Sequence, residues 1–169
     1  MLFSYDILVI FMNISSYDRT SAINYAKKWA LSRNPRYYNF DPVGGDCTSF
    51  VSQCLFAGSQ KMNYSLKMGW FYKNGYDKSP SWSGVEFLYK FLITNKGVGP
   101  RGKDVSKNEI LAGDIAQLSF SGNNFEHSLF ILNPTTLSVA AHTYDVLGKK
   151  ISEYNFSKVR FIHIVDVGV

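Results

Sequence analysis

Beyond Gly97 the spacing of apolar residues changes from one period to another, and that change limits the possible folds more than any other feature of the chain. Before it, apolar side chains recur every three or four residues, which gathers them on one face of a helix. Ala22, Tyr25, Ala26, Trp29 and Ala30 form such a stripe in a helix predicted over 18–33. Asp18 is its N-cap and Asn34-Pro35 its stop, because a residue before proline is pushed out of the helical region. Val85, Leu88, Tyr89 and Leu92 form a second stripe, in a helix predicted over 83–95 with Ser83 as cap. After Gly97 the segments 115–120, 128–132, 138–142 and 160–165 alternate instead, and turn residues such as Gly113-Asp114 and Asn133-Pro134 separate them. Helices first and strands afterwards define an α+β domain, its N-terminal helices packed on a C-terminal antiparallel β-sheet.

A chain of 169 residues, 46% of them hydrophobic, builds one core, so a single domain is expected over 17–169. Residues 1–16 form a separate extension. Its apolar run Ile7-Leu8-Val9-Ile10-Phe11-Met12 is too short to span a bilayer, and no Lys or Arg precedes it. A standard secretory signal is not supported; the extension reads as an N-terminal strand or a vestigial export signal. No transmembrane segment is expected.

Between the two helices, Gly44-Gly45-Asp46-Cys47-Thr48-Ser49-Phe50-Val51-Ser52-Gln53-Cys54 places a thiol where a glycine-loosened turn becomes a third helix. Asp46 can cap that helix. Cys47 then lies in its first turn, where unpaired N–H groups and the helix dipole favour a thiolate. Cys54 follows two turns later, roughly 10 Å along the helix, so the two sulfurs cannot bond within it. Cys54 reads as a small core residue, and two cysteines so spaced leave the redox compartment open. The loop 36–42 carries Tyr37 and Tyr38, whose position allows packing or folding back over the thiol. Asn74-Gly75, between Trp70-Phe71-Tyr72 and Tyr76, signals a hairpin turn.

A thiol at neutral pH gains most from a neighbouring base, and the chain has three histidines. His163, inside the final apolar strand, reads as a satisfied structural imidazole. His127 opens a strand after the polar turn 121–124 and is the best base. If 133–136 is a hairpin loop with Leu132 facing Leu137, the same register sets His142 across from His127, close enough to orient it as a third triad member does. Asp145 is the alternative orienter, and a one-residue slip would defeat the pairing. Cys47, His127 and His142 are acceptable zinc ligands by type, but their spacing matches no close-paired motif, and no metal or other cofactor is expected.

The excess of 18 Lys and Arg over 13 Asp and Glu gives a net charge of +5. The basic residues are scattered, so no nucleic-acid partner is expected, while an anionic cell-wall polymer fits this charge.

Taken together, Tyr17-Asp18-Arg19, Asn34-Pro35, Gly45-Asp46-Cys47-Thr48 with Phe50-Val51-Ser52-Gln53-Cys54, Ser81-Trp82, Gly113-Asp114, His127-Ser128 and His142-Thr143 resemble a known family. It is the amidase domain family of papain-like cysteine hydrolases, kin to NlpC-type and CHAP cell-wall peptidases. The resemblance implies a papain-like fold, with Cys47 as nucleophile, His127 as base and His142 as polar third residue. It implies hydrolysis of an amide bond through a thioester acyl-enzyme, with peptidoglycan stem peptide or another peptide amide as substrate, and an extracellular or wall-associated place in a bacterium. Transfer of the acyl group to an amine, and a non-catalytic wall-binding or interaction module on the same fold, are the alternatives. Ser49 departs from the asparagine expected in the family block, which bears on substrate contacts.

Overall fold

The computed structural model describes residues 14–169. The apolar run at positions 7–12 lies outside them. Among the described residues, four helices and a seven-stranded antiparallel sheet form the α+β arrangement expected from the change in periodicity. The helices are α1 (Arg19–Trp29), α2 (Cys47–Ser59), α3 (Pro80–Ser83) and α4 (Val85–Thr94). The strands are β1 (Ile14–Ser15), β2 (Gly99–Val105), β3 (Ile115–Ser119), β4 (His127–Asn133), β5 (Ser138–Ala141), β6 (Val146–Lys150) and β7 (Lys158–Gly168). They run in the order β1-β7-β3-β4-β5-β6, with β2 also on β7.

Asp18 caps α1 as its sequence predicts, its carboxylate accepting from the Ser21 N–H at 3.0 Å. The helix is shorter than predicted and ends at Trp29. The helix expected over 83–95 forms as α4, Val85–Thr94, but with Gly84, in an extended conformation, at its N-cap position, while Ser83 closes the one-turn α3. Around Asn74-Gly75 the chain does reverse, but through a wider loop, with the Tyr72–Lys78 bridge closing it.

Two cores sandwich the sheet. Ala22 and Ala26 of α1, Phe50, Val51, Cys54 and Leu55 of α2, and Leu88 and Phe91 of α4 pack on Ile115, Phe130, Ala140 and Ile162. Ala116, Leu118, Leu129, Ile131 and Val139 point the other way, into a second cluster with Ile110 and Ile151. Strand β3 is therefore buried on both faces, which its alternation alone does not reveal. Strand neighbours Ser128 and Leu129 consequently face different cores, and this parity decides where the site residues point.

The candidate active site

The site begins with two glycines. Gly44 and Gly45 take φ values of 119° and 104°, a left-handed backbone that glycine adopts without penalty. A Cβ on Gly45 would stand 2.9 Å from Thr143 Oγ1, so the turn is also too tight for a side chain. Cys47 then opens α2, as expected.

Asp46 occupies the N-cap position, yet its side chain makes no capping bond. Its Oδ1 accepts from the Phe40 N–H at 3.1 Å and its Oδ2 from His142 Nδ1 at 2.6 Å, while Arg33 Nε stands 3.6 Å away. The Asp46 N–H donates to Thr143 Oγ1 at 2.9 Å. With the carboxylate turned aside, the first N–H groups of α2 are left without a side-chain cap, and these are the groups a helix start offers to an anion.

His142 is bonded on both sides of its ring. Nδ1 meets Asp46, Nε2 meets the Trp29 carbonyl at 2.8 Å, and the ring stacks on Phe50 with centroids 4.0 Å apart. This corrects the expected pairing with His127. In the β4–β5 hairpin Phe130 pairs with Ala140 and Ile131 with Val139, and an irregularity before the Asn133–Ser138 pair takes up one extra residue. The pairing ends at Ala140 and β5 at Ala141, so His142 begins the following turn, and its ring lies on the helix side against Phe50 and Asp46. Asp145 is no orienter of His127 either: it holds Arg33 through two bonds, at 2.8 and 2.9 Å, and Arg33 also binds Asp41.

The thiol of Cys47 is buried, 8% exposed, against the start of β4. Its Sγ lies 3.7 Å from Thr48 Oγ1, which meets Ser128 Oγ at 2.9 Å, and the Ser128 backbone N–H reaches the sulfur. Burial pushes the thiol above its ordinary range, and those hydrogen bonds offset only part of the effect. This burial opposes the thiolate expected at the helix start. Ser128 is supported in turn by Gln117 Nε2 at 3.1 Å, and Gln117 by Arg160 at 2.8 Å. A glutamine inside an otherwise apolar strand is the sequence signal that could have exposed this chain of contacts.

His127 pairs with Leu118 and shares its face, toward the second core. Its ring centroid is 6.2 Å from that of Phe120 and 5.9 Å from that of Tyr154. Burial, with Lys149 nearby, lowers its pKa to about 4, so the imidazole is neutral at pH 7. The structure thus brings Cys47 to the residue after His127, and brings His142 to the residue before Cys47. It does not bring the two histidines together.

Other marked residues hold the scaffold. Asp114, fully buried, accepts from Arg19 at 2.8 Å, His163 Nδ1 at 2.8 Å and the Ile164 N–H at 3.0 Å, so His163 is the structural imidazole expected. Ser49 is buried and accepts from Gln53 at 3.1 Å, which removes it from any substrate surface. Tyr37 stacks on Trp82 and Tyr38 packs on Phe40, so these tyrosines serve packing. Cys54 is a buried free thiol, as expected. Among the described residues, no group of three His, Cys, Asp or Glu side chains is placed to hold a metal ion, and no helix is long and apolar enough to cross a membrane.

An α+β domain with a free cysteine opening a buried helix is the class that fold and site define. The chain belongs to the family described as "Putative amidase domain", whose model matches residues 16–165. It is 33% identical over 163 residues to the uncharacterized protein YhbB of Bacillus subtilis (strain 168), a match covering 89% of this chain and 51% of that protein. The chain therefore spans about half the length of the curated relative it matches. No solved structure matches it.

Proposed function

We propose that this chain is a cysteine-dependent amidohydrolase that cleaves an amide bond in a peptide, of the kind present in bacterial cell-wall peptidoglycan. The observation that carries this reading is the start of α2, where Cys47 follows an Asp46 whose carboxylate is bound elsewhere and leaves the helix N–H groups uncapped. A carbonyl oxygen placed there gains stabilisation as it becomes an oxyanion. In the proposed sequence His127 takes the thiol proton as Sγ attacks the carbonyl carbon. It then gives that proton to the departing amine, and a thioester remains. Water, losing a proton to His127, opens the thioester and releases the acid, and His127 returns that proton to the departing Cys47 sulfur. His127 is taken as the base because its imidazole, with a pKa of about 4, is neutral at pH 7 and free of a proton to accept one. His142 is proposed to act at one remove, by fixing Asp46 and with it the helix start.

The test is digestion of purified peptidoglycan, with mass analysis of the products. Cleavage is expected from the wild-type chain and not from Cys47→Ser, whose hydroxyl ionises far less readily. A Cys47→Ser protein that still cleaves would sink the nucleophile assignment. An added amine that appears in the product would make the reaction acyl transfer.

One observation favours a second reading, a wall-binding or interaction module without turnover: the thiol is buried and the His127 ring faces the second core. A chain that sediments with peptidoglycan equally well with and without Cys47→Ser, and releases no product, would establish that reading instead.

A further inference from the structure

A pocket of about 370 Å³ lies between the loop preceding Trp70 and the α3–α4 corner. Its size is that of a small-ligand site. Phe71 and Phe91 form part of its wall, and Leu66, Met68 and Phe87 stand at it with 103%, 38% and 60% of their surface exposed. Apolar side chains so exposed beside a cavity are surface that a ligand can cover.

The charge of the lining is one-sided. Lys67, Lys78 and Lys90 all contribute to it and no acidic residue does. Among the described residues none of the three lysines forms an ion pair. Lys78 rests its ammonium over the Phe40 ring, 5.0 Å from the centroid, where partial burial lowers its pKa.

Two hydroxyls of the walls are already committed. Ser79 Oγ accepts from the Phe71 N–H at 2.9 Å, and Ser81 Oγ donates to the Gly69 carbonyl. The charged donors of the lining are the ammonium groups, and beside the apolar side chains they suit an apolar chain that carries an anion.

We propose that this pocket binds a single-chain anionic amphiphile, with its hydrocarbon chain among Leu66, Met68, Phe87 and Phe91 and its carboxylate among Lys67, Lys78 and Lys90. The proposal is independent of the hydrolytic reading, because occupancy needs no turnover. Titration with decanoate below its micelle threshold, followed by tryptophan emission, tests it. Trp70 reports on the pocket because it stacks on Phe91, with centroids 5.9 Å apart. A saturable change is expected with decanoate, and binding about tenfold weaker or less with decanol and decyltrimethylammonium, which share the chain and lack the anion. Lys67→Glu and Lys90→Glu, both at exposed positions, should each weaken decanoate by about fivefold. Phe87→Asp should abolish binding. Equal binding of decyltrimethylammonium, unchanged affinity in both lysine variants, or the lack of any saturable change would overturn the proposal. So would sedimentation with anionic phospholipid vesicles by a protein that ignores decanoate, which would reassign the patch to a lipid surface.

Discussion

Asp46 and His142, 96 positions apart in sequence, share a hydrogen bond of 2.6 Å, and each side chain is 1% exposed. The pair ties the residue before Cys47 to the end of β5, and Nε2 of the same ring ties both to the end of α1 through the Trp29 carbonyl. Three elements meet at one imidazole.

Removing that imidazole takes one partner from a buried carboxylate that keeps the Phe40 N–H. His142→Ala is expected to lower stability by roughly 1–3 kcal/mol, the usual cost of a buried polar group losing a hydrogen bond. Asp46→Asn, which keeps a polar group in place, should cost less. Urea unfolding of both single variants and the double variant gives the coupling, and a coupling near zero would show that the pair is not a functional unit.

His127 predicts how stability depends on pH. Its folded pKa is about 4 against an ordinary 6.5, so between those values the unfolded chain binds the proton and the folded chain does not. Stability is unaffected above pH 6.5 and falls as pH drops from there through 4. At about 1.4 kcal/mol per pH unit of separation the full loss is on the order of 3 kcal/mol. Chemical unfolding between pH 4 and 7 should show this slope in the wild type and a flatter one in His127→Gln.

The Cys47 thiol, held above its ordinary range by burial, should react slowly with iodoacetamide at pH 7 and faster as pH rises past 9. Thr48→Val removes a hydroxyl beside the sulfur and should push the rate profile to still higher pH. Cys54, fully buried, should be labelled only after denaturation. A fast, pH-independent reaction of Cys47 below pH 7 would contradict this.

The turn that carries His142 is strained. Thr143 and Tyr144 take φ values of 59° and 67°, which side chains other than Gly and Asn rarely adopt. Tyr144 is 91% exposed, so Tyr144→Gly should relieve strain and stabilise by about 1 kcal/mol. Thr143→Gly relieves the same kind of strain but forfeits the bond to the Asp46 N–H, so it should gain nothing. Paired urea midpoints decide between these outcomes.

The parts of this molecule that follow from repeating patterns could be read from the sequence. The apolar stripe of 22–30, the start of α2 at Cys47, and the four alternating segments that became β3, β4, β5 and β7 are of that kind. Strands β2 and β6, Gly99–Val105 and Val146–Lys150, carry glycine, proline and lysine in place of alternating apolar residues. Their strand state comes from pairing with β7 and β5, which no local signal encodes. The position of His142 was lost to a single extra residue in β4, Leu132, which stands between the Ile131–Val139 and Asn133–Ser138 pairs. One such residue reverses the direction of every side chain beyond it. Asp46 reads as a cap from its type and position, but its hydrogen-bond partners, Phe40 and His142, arrive from elsewhere in the fold.

Strand β7 pairs with β1, β2 and β3, so residues near positions 14, 100 and 117 all wait for Lys158–Gly168 before the sheet can close. During synthesis the helices and the β4–β5–β6 meander emerge before β7, with β3 and β2 exposing unpaired edges until β7 leaves the ribosome. The growing chain should therefore fold late and depend on holdase chaperones in that interval, a vulnerability set by topology and not by the strength of any contact.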